Sequence, residues 1–273
     1  MGALFGSLTA LSIGLGDLFA RRVVLRRGAV IAAMLVQGVG VVVSAIMLGV
    51  IASRFDTGDA LIGLASGVGL GIGLWGYLGG LSVSSAAIVS PIVATMSAVI
   101  PFCYALVRGA SASGWAVVAA VVAVAGLLLI TAGGAPVANV AAGVRWSVAS
   151  GLGYGFGLSI VIEATEQSGA WPAVTQRLAA FALMIGIAAR SEGRVPLTGV
   201  RSAGIAAGVF GALSTIFYLL GVQADATPAV VTASMFPAVT VVVGRFVYAD
   251  HVNRQQLIGL VVVLIGVAGV VAA

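Results

Sequence analysis

The chain has 273 residues, of which 61% are hydrophobic and 8% charged, and its mean hydropathy is +1.20. So few polar residues cannot wrap a soluble core of this size, and lipid is left as the solvent. The net charge of +5 comes from arginines alone, so a GxxxxGKS phosphate loop is excluded for want of lysine. A single cysteine and a single histidine exclude an internal disulfide, a Cys- or His-based metal centre and a mid-membrane Ser-His pair.

Taken in chain order, the first apolar segment is Ala3–Ala20, with Asp17 toward its end and Arg21, Arg22, Arg26 and Arg27 after it. No basic stretch precedes it, so it reads as a span and not as a signal peptide. Ala29–Ser53 follows, then Ala60–Gly80, which is rich in glycine. There Gly63, Gly67 and Gly71 form one small-residue row, with Gly69/Gly73 and Gly76/Gly80 on others, and such rows let helix backbones approach closely in lipid. Ala86–Val107 carries Pro91 and Pro101, and Trp115–Ala132 closes the first half.

The second half repeats the rhythm: Trp146–Ile162, Pro172–Ala189, Ala203–Gly221, Ala229–Tyr248 and Gln256–Ala272. Each start lies 141 to 143 residues after its counterpart. A helix rising about 1.5 Å per residue crosses the roughly 30 Å hydrocarbon layer in about 20 residues, and none of these segments has the period-two polarity of a barrel strand. The expectation is an all-α, polytopic membrane protein with ten transmembrane helices in two five-helix repeats, residues 1–140 and 141–273. An odd number of crossings inverts the second repeat, an arrangement in which carriers place a central site. Prolines recur in corresponding helices, with Pro228 and Pro237 in the ninth segment, and point to the fourth and ninth helices as kinked neighbours of that site.

The stretch SPIVATMSAVIP (Ser90–Pro101) and the C-terminal frame of Pro237, Asp250, Gly259 and Gly266 resemble the two halves of an EamA-type member of the drug/metabolite transporter superfamily. In that repeat a proline in the fourth helix is followed thirteen residues later by an acid and then by two glycines seven apart. The opening GLGDLFARR (Gly14–Arg22) is also similar to the first helix of some bacterial members. The first half departs from the frame, with Ser97 and Ala110 where proline and acid belong. The resemblance implies a bacterial inner-membrane carrier whose cavity is lined largely by the third, fourth, eighth and ninth helices, with the first and sixth contributing. It also implies both termini in the cytoplasm, whereas the arginine count favours both outside: two arginines fall on the terminal side against nine on the other.

Ionisable groups in the spans divide into interfacial and functional readings. Asp17 pairs with Arg21 one turn on, or serves as a coupling or substrate-binding carboxylate. Arg177 and Arg245 snorkel to the surface, with recognition of an anionic group the alternative for Arg177. Glu163 and Glu166 are solvated at the headgroups, and Asp250 with Arg254 caps the ninth connection. The candidate substrate-binding residues are Asp17, Trp75, Tyr77, Ser90, Thr95, Ser214, Phe217, Tyr218, Thr232 and Ser234. Trp75, Tyr77, Phe217 and Tyr218 form an aromatic-lined pocket in this reading, and the hydroxyls recognise an organic solute.

The expected function is a secondary transporter of a small organic metabolite or drug-like solute, working by alternating access, with proton coupling through Asp17. A non-catalytic scaffold or a pore subunit is the alternative. No enzyme activity, cofactor or metal is expected, since no paired mid-span acids occur. Expected partners are the solute and membrane lipids, with no nucleic acid, and the state is monomer or homodimer.

Overall fold

The computed structural model describes residues 1–109, 113–132, 139–191, 197–225, 229, 232–233 and 235–272. Among them there are ten α-helices and no strand: α1 (Gly2–Arg27), α2 (Ala29–Met47), α3 (Thr57–Val83), α4 (Ala86–Val107), α5 (Gly114–Ala132), α6 (Val140–Val161), α7 (Trp171–Ser191), α8 (Arg201–Ala224), α9 (Phe236–Val247) and α10 (Arg254–Ala272). Five of these, α1, α2, α3, α4 and α7, are long and apolar enough to cross a membrane, which fits a membrane protein. Outward-facing apolar side chains agree, since Leu128 is 66% and Phe246 84% exposed, a costly surface in water.

Local chemistry sets the helix ends. Asp56 caps α3 by accepting from the Asp59 amide at 3.0 Å, and Asn139 caps α6 by accepting from Ala142 at 3.2 Å, interactions of about 1 kcal/mol each. Gly28, at φ 85°, breaks α1 from α2 in a conformation that suits glycine. Three expected boundaries move. α1 runs on to Arg27, so Asp17 lies well inside it, roughly 15 Å from its end. α2 stops at Met47 in a run of turns and does not reach Ser53. The ninth segment is not one kinked helix from Ala229 to Tyr248: Met235 lies in a turn and Pro237 sits in the first turn of α9. Proline starts a helix readily because its missing N–H would have no partner there. Pro228 falls outside the described residues.

α3 packs on α6 and α7, while α1 packs on α8, α9 and α2. α2 also packs on α7 and α8, α4 packs on α6, α9 and α10, and α5 pairs with α10. The glycine rows carry these contacts. A Cβ on Gly69 would come within 2.6 Å of the Gly153 carbonyl, and one on Gly76 within 2.9 Å of the Ser150 backbone, both across the α3–α6 seam. Gly63, Gly67 and Gly71 meet α7 in the same way. Ser150 Oγ donates to the Gly73 carbonyl and Ser66 Oγ to that of Gly157, each at 2.6 Å, so α3 and α6 are also hydrogen-bonded to each other. The apolar core gathers around Val23, Leu78, Leu81, Val89 and Met184, and a smaller cluster of Ile88, Ile92, Ala123, Ile130 and Val263 ties α5 and α10 to α4.

Candidate functional site

A cavity of about 320 Å³ lies inside the bundle, lined from α1, α2, α3, α4, α6, α7, α8 and α9. Among the described residues, none from α5 or α10 lines it. Ile13, Val36, Leu70, Leu74, Val93 and Leu158 make most of its wall apolar, and Asp17, Gln37, Tyr77, Tyr154 and Arg177 supply its polar points. An adjoining hollow of about 410 Å³ shares Ile13, Ser97, Leu158, Ser214 and Phe236, and adds Thr9 and Tyr218. It therefore lies toward the end of the bundle where α1 begins.

Asp17 organises the deep wall. Tyr77 Oη donates to its Oδ2 at 2.5 Å and Thr240 Oγ1 to the same oxygen at 2.7 Å, joining α1 to α3 and α9. Oδ1 has no hydrogen-bond partner among the described residues. Tyr77 Oη also lies 3.0 Å from Ser90 Oγ, which is fully buried behind it. The expected Asp17–Arg21 pair does not form. Arg21 instead makes two bonds to Asp250, Nη1 to Oδ2 at 2.7 Å and Nη2 to Oδ1 at 2.9 Å. A two-pronged guanidinium–carboxylate pair is stronger than a single contact one turn along a helix.

Beyond Asp17 the space narrows to about 10 Å³ between Asp17, Arg21, Leu81, Ala86, Thr240 and Tyr248. Here the bundle is sealed. The Arg21 and Asp250 side chains are 11% and 7% exposed, the Arg21 guanidinium stacks 4.4 Å from the Tyr248 ring centroid, and Tyr248 Oη donates to the Leu18 carbonyl at 2.6 Å. Asp250 Oδ2 also accepts the Ala86 amide at 3.0 Å, capping α4 from the connection between α9 and α10. Asp250 therefore does not cap the ninth connection with Arg254, as the spacing suggests. On the far side of the seal Ser82, Ser84, Ser85, Asp250 and His251 line a polar vestibule of about 210 Å³.

Arg177 is the second departure. It turns inward instead of reaching the surface, and Nη1 donates to Gln37 Oε1 at 2.8 Å. Gly40 makes the room, since a Cβ there would lie 3.1 Å from Arg177 Cδ.

Of the candidate residues, Asp17, Tyr77 and Ser214 line the cavity and Tyr218 lines the outer hollow. Ser90 stands behind Tyr77, and Thr95 is buried with its hydroxyl unpartnered. The four-aromatic pocket is not formed. Trp75 packs edge-on against Trp146 at 5.4 Å and Phe217 stacks on Phe5 at 6.5 Å, both away from the cavity. Two residues along a helix turn the side chain by about 200°, so Trp75 and Tyr77 cannot share a face. Thr232 donates to the carbonyls of Ala3 and Ala229 against α1, and Ser234 lies outside the described residues. Gln37, Tyr154 and Thr240 join the site without having been candidates. A lone glutamine in the apolar run MLVQGVGVVV was the one available signal.

Glu163 pairs with Arg108 at 3.0 Å at an exposed position, where little stability is gained. Among the described residues no group of three or more metal-ligating side chains occurs.

No family model matches the chain, and no curated protein matches it in sequence. Its fold is shared. A crystal structure described only as that of a protein covers 98% of this chain and 95% of its own, with a TM-score of 0.67 and 17% identity. At that identity the likeness carries the architecture and no activity.

Proposed function

We propose that the chain is a multi-pass membrane carrier of the drug/metabolite transporter type, moving a small organic solute by alternating access of one central cavity. The observation that carries this reading is the placement of the cavity. It is lined by the first four helices of each half, closed at one end by the Arg21–Asp250 seal and continued by a hollow at the other. A pore would need a passage at both ends.

The packing supports two related halves. α1 meets α8 as α3 meets α6, α1 meets α9 as α4 meets α6, and α2 meets α8 as α3 meets α7. Gln37 and Arg177, bonded to each other, stand 140 positions apart. Gly126 packs on Val263 as Gly266 packs on Ala123, a reciprocal pair at the same interval. Such reciprocity is what an inverted repeat produces, and rocking of one half against the other then exposes the cavity to either side. A bacterial inner membrane suits the arginine-rich connections, which meet anionic headgroups.

Asp17 is the group placed to carry a coupling proton. It bonds Tyr77 from α3 and Thr240 from α9, shares the cavity with Tyr154 and Arg177, and among the described residues keeps Oδ1 without a partner. Reconstituted protein should show saturable flux with counterflow, and flux that never saturates would remove the carrier reading. Asp17→Asn should abolish the pH dependence of transport, and an unchanged profile would remove the coupling role.

A further inference from the structure

Among the described residues Arg177 is a charge with no counter-charge. Its one hydrogen bond among the described residues is to Gln37 Oε1, and no carboxylate pairs with it there. It sits within α7, a helix apolar enough to span a membrane, where an ionised side chain is costly unless something compensates it. Gln37 is fully buried, and with its oxygen committed to Arg177 its Nε2 is left without a partner. The Arg177 guanidinium thus lines the cavity with the enclosed Gln37 carboxamide beside it, and every unpaired nitrogen of the two is a donor. Unsatisfied donors in such a place are expensive and call for an acceptor from elsewhere.

We propose that Arg177 and Gln37 form the seat for a carboxylate on the transported solute, so that the substrate class is small organic monocarboxylates with an apolar body. This rests on the carrier reading. A planar carboxylate matches the fork of one guanidinium and the adjoining amide. One cation balances one negative charge, and Asp17, whose Oδ1 has no partner among the described residues, opposes a second. Most of the remaining wall is apolar, with the Tyr154 hydroxyl a further polar point, and suits a hydrocarbon body, and the volume falls in the range of small-molecule sites.

The test uses the purified full chain and four probes: 3-phenylpropionate, 3-phenylpropanamide, 3-phenylpropylamine and inorganic phosphate. The first three share a body and differ only in the group offered to Arg177. Thermal unfolding is followed against each, since a ligand of the folded state raises Tm. The carboxylate should raise Tm saturably and bind at least roughly tenfold more tightly than the other three, the ratio expected for a hydrogen bond to a charged group. Gln37→Met and Arg177→Gln should each weaken 3-phenylpropionate by roughly tenfold or more. If Arg177→Gln does not fold, Gln37→Met carries the measurement alone. Equal binding of the amide, a matching response to phosphate, or no response to the carboxylate overturns the proposal. The carrier reading fails separately. Saturable counterflow of the amine alone overturns the carboxylate seat and leaves the carrier standing, whereas binding of the carboxylate with nonsaturating flux supports the seat and overturns the carrier.

Discussion

The two ends of the bundle differ in what fills the space between the helices. At the Arg21–Asp250 end, charges, a stacked tyrosine and a borrowed helix cap close the gap to about 10 Å³, whereas from the centre toward the α1 N-terminal end the bundle encloses hollows of about 320 and 410 Å³. Glycine serves both ends differently. Gly244 lets Asp250 and Ala86 close on each other, since a Cβ there would lie 2.6 Å from Asp250 Oδ2 and 3.1 Å from Ala86 Cβ. Gly211 and Gly16 simply line the cavity. Directional polar bonds make one end a latch, and the absence of side-chain volume makes the other a mouth.

Removing the latch should have the largest effect. Asp250→Ala leaves Arg21 buried without its partner and the Ala86 amide uncapped. It should lower stability by about 3–5 kcal/mol, read as a fall in Tm and in the denaturant midpoint. Gly244→Val leaves the charges in place and forces them apart. Overpacking of this kind costs about 1–3 kcal/mol, and the accompanying rise in thiol labelling at a cysteine placed at Ser84 would tie the loss to the seal. Thr240→Val removes one of two hydroxyls from Asp17 and should cost about 1–2 kcal/mol, seen as a smaller fall in Tm than for Asp250→Ala. At the mouth, substitutions should barely move stability. In a Cys103→Ser background, Ser97→Cys should stay within about 0.5 kcal/mol of its parent and react with a water-soluble thiol reagent, while Ser90→Cys, buried behind Tyr77, should not. Equal labelling of both would dissolve the distinction between the ends.

How much of this was legible in the sequence depended on the reach of each interaction. Apolar runs and their spacing gave the helical architecture, because each helix satisfies its own backbone and needs no distant partner. Asp17 stood out as the one acid within the first apolar segment. Its partners did not, because Arg21 had a neighbour at helical spacing and a better one 229 residues away in Asp250. Arg177 was ambiguous for a similar reason: it turns inward to Gln37 on another helix, beside the space that Gly40 leaves open. The placement of Trp75 and Tyr77 in one pocket failed because α3 has apolar or small residues all round. Nothing in such a helix says which face meets the cavity. Pro237 misled because a proline within a long apolar run reads equally as a kink and as a new start.

The cap that Asp250 supplies to α4 has a dynamic consequence. While the latch is shut, the Ala86 amide is bonded to a carboxylate from the connection between α9 and α10. Any movement that separates α4 from the Asp250 turn must release that amide and let water replace the carboxylate. Deuterium uptake at Ala86 should thus report how readily the sealed end opens.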